Sequence, residues 1–529
     1  MRKRENVPRH DAQVVYYRAL GFRERRMALE QGEWVMTAEN KRICPDFNAE
    51  ARRFHLLGCC GTGMGALGIL LCEAGYEVSG SDTGFYPPMS DILARSGIRT
   101  MVGWKPENLD GLRPEDTIVV VGNVCRRTNE ECLAAMERGF TTLSQAETLY
   151  HFFLKSRARR VVVSGTHGKT TTSSLLASVL TAGGIDASVF IGGEVLAYGC
   201  GAHLGKSDTF VVEGDEYDTA WFDKVPKFWH YAPTHLCINN IEFDHADIYE
   251  NLEAILDVFA RLVSEMPEDG VIVYNADDAN VCRIVTRARC RTVGYSLAAS
   301  PQADFDARAI VYHDGGVSFD LYARGTQHTV RFDSPLTGQH NVYNLTSAAI
   351  MAQILGVSIE GVKAGFMAYR GVKKRQEWIG TVDDIAIYDD FAHHPTAVRE
   401  TVRAIRKRYP AHRIWGIFEM KSNTSRRAVF QHDYPEALSE CDEVILSAPW
   451  KKDDLPPEML IDIPRVAADL NARGVHARLI PDIEAIVEVL ARETRPGDIV
   501  LGMSGSAFGG LHRKLLARLE ETRLGRRES

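Results

Sequence analysis

A valine-rich segment that runs directly into a Gly–Lys–Thr loop restricts the possible folds of this chain more than any other feature. Residues 160–164 read as a buried strand, residues 165–172 read GTHGKTTT, and residues 173–182 read as a helix. A strand, a tight glycine turn and a helix in this order begin a βαβ unit. The sequence therefore predicts an α/β fold with this loop at the carboxyl edge of a parallel sheet.

The loop has the chemistry of a phosphate site. Val163 stands where a full Walker A motif carries its first glycine, so the loop has the shorter form GxxGKT. Its backbone N–H groups and the helix N-terminus would face a phosphate, to which Lys169 would add one cation. The Thr170 hydroxyl is a candidate Mg²⁺ ligand. A surface turn at the start of a helix is the alternative interpretation.

Two further strand-like segments, 209–212 and 234–238, each end in a cluster of charged residues. The carboxylates of the two clusters are Glu213, Asp215, Glu216, Asp218, Glu242, Asp244 and Asp247. Parallel strands present their carboxyl ends at one edge of a sheet, where ligands bind. Mg²⁺ prefers one or two carboxylates together with phosphate oxygens. We therefore expect a magnesium site near the loop, and a charged turn without metal is the alternative for either cluster alone.

A second glycine-rich turn lies nearer the start of the chain. Residues 54–57 predict a strand, residues 58–65 read GCCGTGMG, and residues 66–74 predict a helix. Asp82 ends the next strand roughly 20 residues further on, where an acidic residue can contact a ribose. This spacing fits NAD, FAD or a UDP-sugar, and it also fits a tight turn without a ligand.

The chain is too long for one hydrophobic core, because its 529 residues correspond to about three to four domains. We expect an N-terminal extension at 1–53, which includes one or two helices within 12–32. Domains are expected at 54–155, 156–378 and 379–529.

Two segments of the later domains have patterns of their own. Residues 305–333 alternate apolar and polar around a Gly-Gly turn and predict a hairpin. In the last domain strand-like and helical segments alternate, which favours a parallel α/β sheet. The loop 389–395 lies before a helix that begins at Pro395. A solvated turn and a nucleotide contact explain this loop equally well.

Charge and composition exclude other classes. The net charge of −8 argues against nucleic acid as the main partner, because such binding needs a dominant basic surface. No apolar run reaches the about 18 residues of a membrane span, and no apolar segment follows the basic first residues as in a signal peptide. The 11 cysteines lack paired metal-ligand spacing and fit reduced thiols. We therefore expect a cytoplasmic protein.

Taken in order, these motifs resemble those of the Mur ligase family. The string GTHGKTTT is followed by the Glu213 cluster, the His245 cluster, GQHN at 338–341 and DDFAHHP at 389–395. The resemblance covers about residue 54 to the end of the chain. It implies a Rossmann-like UDP-binding domain, a central P-loop ATPase domain and a Rossmann-like C-terminal domain.

The resemblance also implies the reaction. A muramyl carboxylate would attack the γ-phosphate of ATP, and an amine would then attack the acyl phosphate. The implied catalytic residues are Lys169, Glu213 and His245. The implied Mg²⁺ ligands are Thr170, Glu213 and His245. The residues expected to contact ATP are Gly165, Thr166, His167, Gly168, Lys169, Thr170, Thr171, Asn341, Arg375 and Asp390. Those expected to contact the UDP-linked substrate are Gly61, Thr62, Gly63, Met64 and Asp82.

Two branches of the family share this set of motifs. One joins L-alanine to UDP-N-acetylmuramate, and the other joins the murein tripeptide L-alanyl-γ-D-glutamyl-meso-diaminopimelate to the same acceptor in peptidoglycan recycling. The strings that resemble the second branch lie at 61–65, 86–90, 215–224, 243–247 and 422–424. A tripeptide with several carboxylates needs a basic groove, for which Lys421, Arg426 and Arg427 are candidates. A solvated basic loop is the alternative.

The chain also departs from the family pattern. The carbamylated lysine of several Mur ligases would fall near Ala260, and no lysine lies between Lys227 and Lys363. The first 53 residues have no counterpart in the resemblance. The alternative functions are the alanine-adding ligase, a folate polyglutamate ligase, an NAD-dependent oxidoreductase and an inactive nucleotide-binding regulator.

Overall fold

A computed structural model describes residues 27–30, 33–36, 51–244, 248–313, 315–422, 424–447 and 456–527. The strands are β1 (Met27–Glu30), β2 (Glu33–Met36), β3 (Arg53–Leu57), β4 (Glu77–Asp82), β5 (Arg99–Val102), β6 (Thr117–Val121), β7 (Thr141–Ser144), β8 (Arg159–Ser164), β9 (Ser188–Val195), β10 (Cys200–His203), β11 (Thr209–Gly214), β12 (Asp218–Ala220), β13 (Asp223–Pro226), β14 (His235–Ile238), β15 (Val271–Asn275), β16 (Arg291–Ser296), β17 (Phe305–His313), β18 (Gly316–Ala323), β19 (His328–Ser334), β20 (Glu377–Val382), β21 (Ile385–Asp390), β22 (Ile414–Glu419), β23 (Glu443–Ser447), β24 (His476–Leu479) and β25 (Ile499–Met503).

The helices of the described residues connect these strands. The α-helices are α1 (Thr62–Glu73), α2 (Met89–Arg95), α3 (Glu130–Glu137), α4 (Gln145–Leu149), α5 (Lys169–Ala182), α6 (Lys227–His230), α7 (Leu252–Ser264), α8 (Ala279–Val285), α9 (Gln339–Ile354), α10 (Ile359–Met367), α11 (Pro395–Arg408), α12 (Asp433–Ala437), α13 (Ile463–Ala472), α14 (Ile483–Glu493) and α15 (Leu511–Arg527). A π-helical turn spans Tyr150–Leu154, and 3₁₀ turns span Pro106–Leu109, Ala428–Phe430, Pro457–Met459 and Phe508–Gly510.

The first large sheet has five parallel strands in the order β5-β4-β3-β6-β7. β6 is buried along its whole length and β3 from Phe54 onward, because central strands of a parallel sheet are covered on both faces. Helix α1 follows β3 directly, as the glycine-rich turn predicts. It also packs on β9 and β10, so that one apolar core continues from the first sheet into the second.

The second sheet contains ten strands in the order β10-β9-β11-β8-β14-β15-β16-β17-β18-β19. Strands β9 to β17 along this order pair in parallel, whereas β10, β18 and β19 are antiparallel additions at its two ends. The hairpin predicted at 305–333 is present as β17 and β18, and β19 extends it to three antiparallel strands. The third strand follows from the alternating pattern, which continues through the end of β19.

The third sheet has six strands in the order β20-β21-β25-β22-β23-β24. All pairs are parallel except β20 with β21. Helix α11 begins at Pro395 and ends at Arg408, as the sequence predicts, because proline suits the first helical turn. The predicted α/β class with parallel sheets is confirmed.

The prediction of helices within 12–32 is wrong for residues 27–30. These residues form β1, which pairs antiparallel with β2. Aromatic and β-branched residues in the sequence EWVM of β2 favour an extended backbone over a helix. Residues 12–26 and 31–32 lie outside the described residues. In the part of the chain that the structure describes, no helix is both long enough and apolar enough to cross a membrane.

Gly168 precedes α5 with φ +82°, and a Cβ atom there would lie 2.4 Å from Asn344 Oδ1. We expect Gly168→Ala to cost about 1–2 kcal/mol for the left-handed backbone, plus roughly 1–3 kcal/mol for the clash. Gly184, at the other end of α5, has φ +81° with no atom within 4 Å of its Cβ position, so Gly184→Ala meets only the first cost. Melting temperatures of both variants test this, and equal losses would show that the contact with Asn344 is irrelevant.

Candidate active site

The site lies at the carboxyl ends of the central strands of the second sheet. In the register of the sheet, Ser164 of β8 pairs with Gly214 of β11 on one side and with Ile238 of β14 on the other. The phosphate loop and the two charged clusters therefore leave the sheet at the same level. The convergence predicted from the sequence is confirmed for the residues that the structure describes.

Asn240 holds the phosphate loop in place. The loop residue Thr166 donates its N–H to Asn240 O at 2.9 Å, and His167 donates its N–H to Asn240 Oδ1 at 2.8 Å. The amide of Asn240 donates in return to His167 O at 3.2 Å. Asn240 thus accepts hydrogen bonds from two N–H groups of the loop and donates one to a loop carbonyl. This role was not predicted from the sequence, because the pair Asn239-Asn240 after an apolar strand is equally compatible with an ordinary turn.

Lys169 points inward beneath the loop. Its Nζ donates to Gly165 O at 2.8 Å and to Thr166 O at 3.3 Å, and it pairs with Glu216 Oε2 at 2.9 Å. Burial alone would lower the pKa of Lys169, but the carboxylates of Glu216 and its neighbours outweigh burial and raise it. The lysine is therefore a buried cation. Glu216 was counted among the carboxylates of the sequence but was given no role.

Thr170 and Glu213 form the second contact of the loop. The Thr170 hydroxyl donates to Glu213 Oε1 at 2.8 Å, and the backbone N–H of Gly192 donates to Glu213 Oε2 at 2.8 Å. Burial and the charge of Asp215 raise the pKa of Glu213. A hydroxyl and a carboxylate side by side are the hard oxygen donors that suit Mg²⁺. The third predicted ligand, His245, lies outside the described residues.

Asn341 supports the loop through a second asparagine. Its amide donates to Thr337 O at 2.7 Å, and its Oδ1 accepts from Asn344 Nδ2 at 3.1 Å. Asn344 Oδ1 in turn accepts from the Thr172 hydroxyl at 3.1 Å. Asn341 is therefore linked to Thr172, at the start of α5, through Asn344. Its contact with nucleotide stays a prediction.

Arg375 reaches the loop from the segment that joins the second and third sheets. Its Nη2 donates to the Thr170 hydroxyl at 3.3 Å, and its guanidinium lies 5.2 Å from the centre of the Phe391 ring. Asp390 is buried and accepts from the backbone N–H groups of Gln376 and Ala392, each at 2.7 Å. Asp390 therefore fixes the segment around Arg375, and its contact with nucleotide stays a prediction.

The predicted UDP-binding residues surround the turn before α1. The carboxylate of Asp82 accepts from Cys60 N at 2.9 Å and from Thr83 N at 2.7 Å. Gly61 and Thr62 are exposed, whereas the side chain of Met64 is buried. Gly63 approaches the Gln145 amide closely. The turn thus leaves exposed backbone at the N-terminus of α1, a geometry that suits a phosphate.

The basic residues predicted to bind peptide lie on the segment after β22. Arg426 and Arg427 are half-buried, and the Nζ of Lys421 lies 3.9 Å from Glu419 Oε1. In the same segment, the Thr424 hydroxyl donates to Asp244 Oδ1 at 2.9 Å. Asp244 immediately precedes His245 in the sequence. The basic segment is therefore adjacent to the second charged cluster.

The His167 side chain faces the third sheet. Its Nε2 lies 3.4 Å from Glu242 Oε2, and its ring centre lies 4.9 Å from that of His394. Burial lowers the pKa of His394 to about 4. Burial would raise the pKa of Glu242, but His167 and the Thr396 hydroxyl outweigh burial and bring it to about 2.

The fold and the site define a multidomain α/β protein with a lysine-containing loop of the phosphate-binding form at the carboxyl edge of its central sheet. Residues 53–157 match the catalytic domain of the Mur ligase family, residues 163–352 match the Mur ligase middle domain, and residues 374–506 match the Mur ligase glutamate ligase domain. The chain belongs to the Mur ligase family, whose members are ATP-dependent ligases of the peptidoglycan pathway.

Individual relatives are similar over most of the chain. The UDP-N-acetylmuramate–L-alanyl-gamma-D-glutamyl-meso-2,6-diaminoheptandioate ligase of Escherichia coli K12 is 34% identical over 88% of this chain and 97% of its own length. The UDP-N-acetylmuramate–L-alanine ligase of Kineococcus radiotolerans is 37% identical over 86% of this chain and 93% of its own length. A crystal structure of a murein peptide ligase from Psychrobacter arcticus has 30% identity and a TM-score of 0.68, and the match covers 89% of this chain and 99% of that chain.

Removing the ammonium of Lys169 takes away the buried cation that pairs with Glu216, which is 2% exposed. We expect Lys169→Met to lower the free energy of unfolding by about 3–5 kcal/mol. The double variant with Glu216→Gln recovers part of this loss, because it also removes the buried carboxylate that Lys169 neutralises. Lys227→Met is the matched control, since Lys227 and Asp215 are partly exposed and such a pair contributes about 0–1 kcal/mol. Denaturation without nucleotide gives the free energy of unfolding of the wild type and the three variants. Equal stabilities of Lys169→Met and the double variant would refute the proposed role of the ion pair.

Proposed function

We propose that this enzyme joins UDP-N-acetylmuramate to the tripeptide L-alanyl-γ-D-glutamyl-meso-diaminopimelate at the expense of ATP. The observation that carries the proposal is the similarity, over 88% of this chain, to the ligase named for this tripeptide. The solved murein peptide ligase matches along 99% of its own chain. The strings at 215–224 and 243–247 support the same branch.

The second candidate substrate is L-alanine. The alanine-adding relative is 37% identical over 455 residues, a higher identity than that of the tripeptide relative over a similar length. The two candidates share the acceptor and the ATP-dependent step, so they differ only in the amine. The distinction therefore depends on the part of the site that receives the amine.

In the proposed reaction the chain positions the reactants and neutralises charge. Lys169 would exchange Glu216 for the β- and γ-phosphates, and the N–H groups of the loop would hold the remaining phosphate oxygens. Thr170 and Glu213 would hold Mg²⁺, because their adjacent oxygens match its preference for hard donors. When bound, Mg²⁺ would neutralise charge on the phosphates. His245 is proposed as the ligand of a second Mg²⁺.

Residues outside the loop would complete the nucleotide site. Arg375 already contacts Thr170 and would place a guanidinium near the phosphates. Asn341 and Asp390 are proposed to contact ATP, and their present contacts keep the loop and the joining segment in position. The muramyl carboxylate would attack the γ-phosphate and displace ADP. The neutral amine would then attack the acyl carbon, and phosphate and a proton would be released as the amide forms.

The acceptor is proposed to bind at the first sheet. The exposed backbone of Gly61 and Thr62 at the N-terminus of α1 would receive the UDP phosphates. The proposed domain limits are 54–155 for UDP binding, 156–378 for ATP binding and 379–529 for the C-terminal domain. The expected location of the protein is the cytoplasm.

The reaction itself gives the first test. We expect ADP release that requires both UDP-N-acetylmuramate and an amine, with a higher kcat/KM for the tripeptide than for L-alanine. Each amine is offered separately, and the UDP-muramyl product is quantified together with ADP. A ratio of kcat/KM below one would move the chain to the alanine-adding branch, and no ADP release with either amine would refute the ligase proposal.

The basic segment after β22 gives the second test, because guanidinium groups pair well with the carboxylates of a tripeptide. We expect Arg426→Ala and Arg427→Ala each to raise KM for the tripeptide about tenfold or more, a loss of about 1.4 kcal/mol of binding. Arg473→Ala is the control, because Arg473 is exposed at the C-terminus of α13 in the same domain. If both loop variants match this control, the groove lies elsewhere while the choice of substrate is unaffected.

A further inference from the structure

Three potential metal ligands from three elements meet where the second and third sheets face each other. His167 belongs to the phosphate loop, Glu242 follows β14, and His394 is the residue before α11. One donor atom from each of them lies within 4.8 Å of the other two. None of the three is assigned to the proposed Mg²⁺ site, which uses oxygen donors on the other side of the loop.

The spacing of the donors is close to that of a bound ion. A tetrahedral ion with bonds of about 2.0–2.1 Å holds its ligand atoms roughly 3.3 Å apart. His167 Nε2 and Glu242 Oε2 are 3.4 Å apart, so this pair already has the required separation. The remaining distances are at most 4.8 Å, and small side-chain rotations of His394 would close them.

The missing hydrogen bonds of two donor atoms also indicate a ligand. Among the described residues, neither His167 Nε2 nor His394 Nε2 has a hydrogen-bond partner, although both atoms are buried. Buried polar atoms are otherwise almost always paired, so each such atom requires an explanation. The distance from His167 Nε2 to Glu242 is longer than a well-formed N–H···O hydrogen bond. Two imidazole nitrogens and one carboxylate oxygen would all be satisfied by one cation.

We propose that His167, Glu242 and His394 form a binding site for a divalent transition metal of the Zn²⁺ class. Two imidazoles and a carboxylate are a frequent ligand set for such ions, whereas Mg²⁺ favours sites in which oxygen donors predominate. Binding would connect the phosphate loop directly to the third sheet. The site is independent of which amine the enzyme accepts.

Binding requires one rearrangement at His394. Its Nδ1 accepts weakly from the backbone N–H of Thr396 at 3.3 Å, which places the ring proton on Nε2. Coordination through Nε2 needs the other neutral tautomer, so the proton moves to Nδ1 and the cap bond is lost. An N-terminal cap contributes about 1 kcal/mol, which is small beside the affinity of an imidazole-containing site for Zn²⁺-class ions.

Titration of the full-length protein with Co²⁺, in excess Mg²⁺ and without nucleotide, tests the site. Co²⁺ is a spectroscopic substitute for Zn²⁺ and has visible ligand-field bands in a site of nitrogen and oxygen donors. We expect one equivalent to bind with these bands and to be displaced by Zn²⁺. Glu242→Gln and His394→Asn should each weaken binding at least about tenfold, because each removes one of three protein ligands.

The variants are chosen to preserve the fold. Asparagine is a favourable cap, so His394→Asn retains the start of α11 while removing the imidazole. Glutamine at position 242 can still accept the hydrogen bond of Thr396, which is 2.8 Å long. His328→Gln is the matched control, because His328 is exposed on β19. Circular dichroism spectra of the variants establish that they are folded.

Two results would overturn the proposal. One is Co²⁺ affinity in Glu242→Gln and His394→Asn equal to that of the wild type. The other is a thiolate charge-transfer band that disappears when the cysteines are alkylated, which would place the ion on cysteine. Binding that is lost in both variants and retained in His328→Gln supports the site even if the enzyme proves to use L-alanine.

Discussion

The buried ion pair between Lys169 and Glu216 is the interaction on which the arrangement of the site depends. Without a carboxylate partner, burial would drive the lysine toward its neutral form. Glu216, with Glu213 and Asp215 close by, keeps it charged beneath the loop. Lys169 is therefore already paired with a carboxylate before any phosphate arrives. A polyphosphate would compete with this carboxylate for Lys169, so a cation held by the adjacent oxygens of Thr170 and Glu213 would favour its binding.

The three sheets are joined by interfaces of different character. The first and second share a continuous apolar core through α1, with Ser144 donating to Asp223 at its edge. The second and third meet through polar contacts such as that between Thr396 and Glu242. Polar interfaces of this kind within a chain usually permit relative motion, whereas shared apolar cores do not. The first two sheets therefore act as one platform, against which the third is the element able to move.

Sequence reasoning located the phosphate loop and the convergence of the strand ends, because both depend on local patterns and on the geometry of parallel sheets. It did not find the roles of Asn240 and Asn344, since an asparagine that braces a loop looks the same in sequence as one in a turn. It predicted one or two helices within 12–32, a range that includes strand β1, because that segment lacks a clear periodicity. The meeting of His167 with His394 depends on how two domains pack, which no local pattern contains.

Arg375 connects the phosphate loop to the segment that joins the second and third sheets. Its guanidinium bonds the same hydroxyl of Thr170 that faces Glu213, and its backbone neighbours Lys374 and Gln376 have positive φ angles of 58° and 49°. A ligand that claims this hydroxyl competes with the arginine and so acts on a segment held in an unfavourable backbone conformation. Thermodynamic linkage is reciprocal. Because Arg375 lies on the segment that joins the second and third sheets, a ligand that shifts the third sheet would change the affinity for nucleotide, and bound nucleotide would change the affinity for that ligand by the same factor.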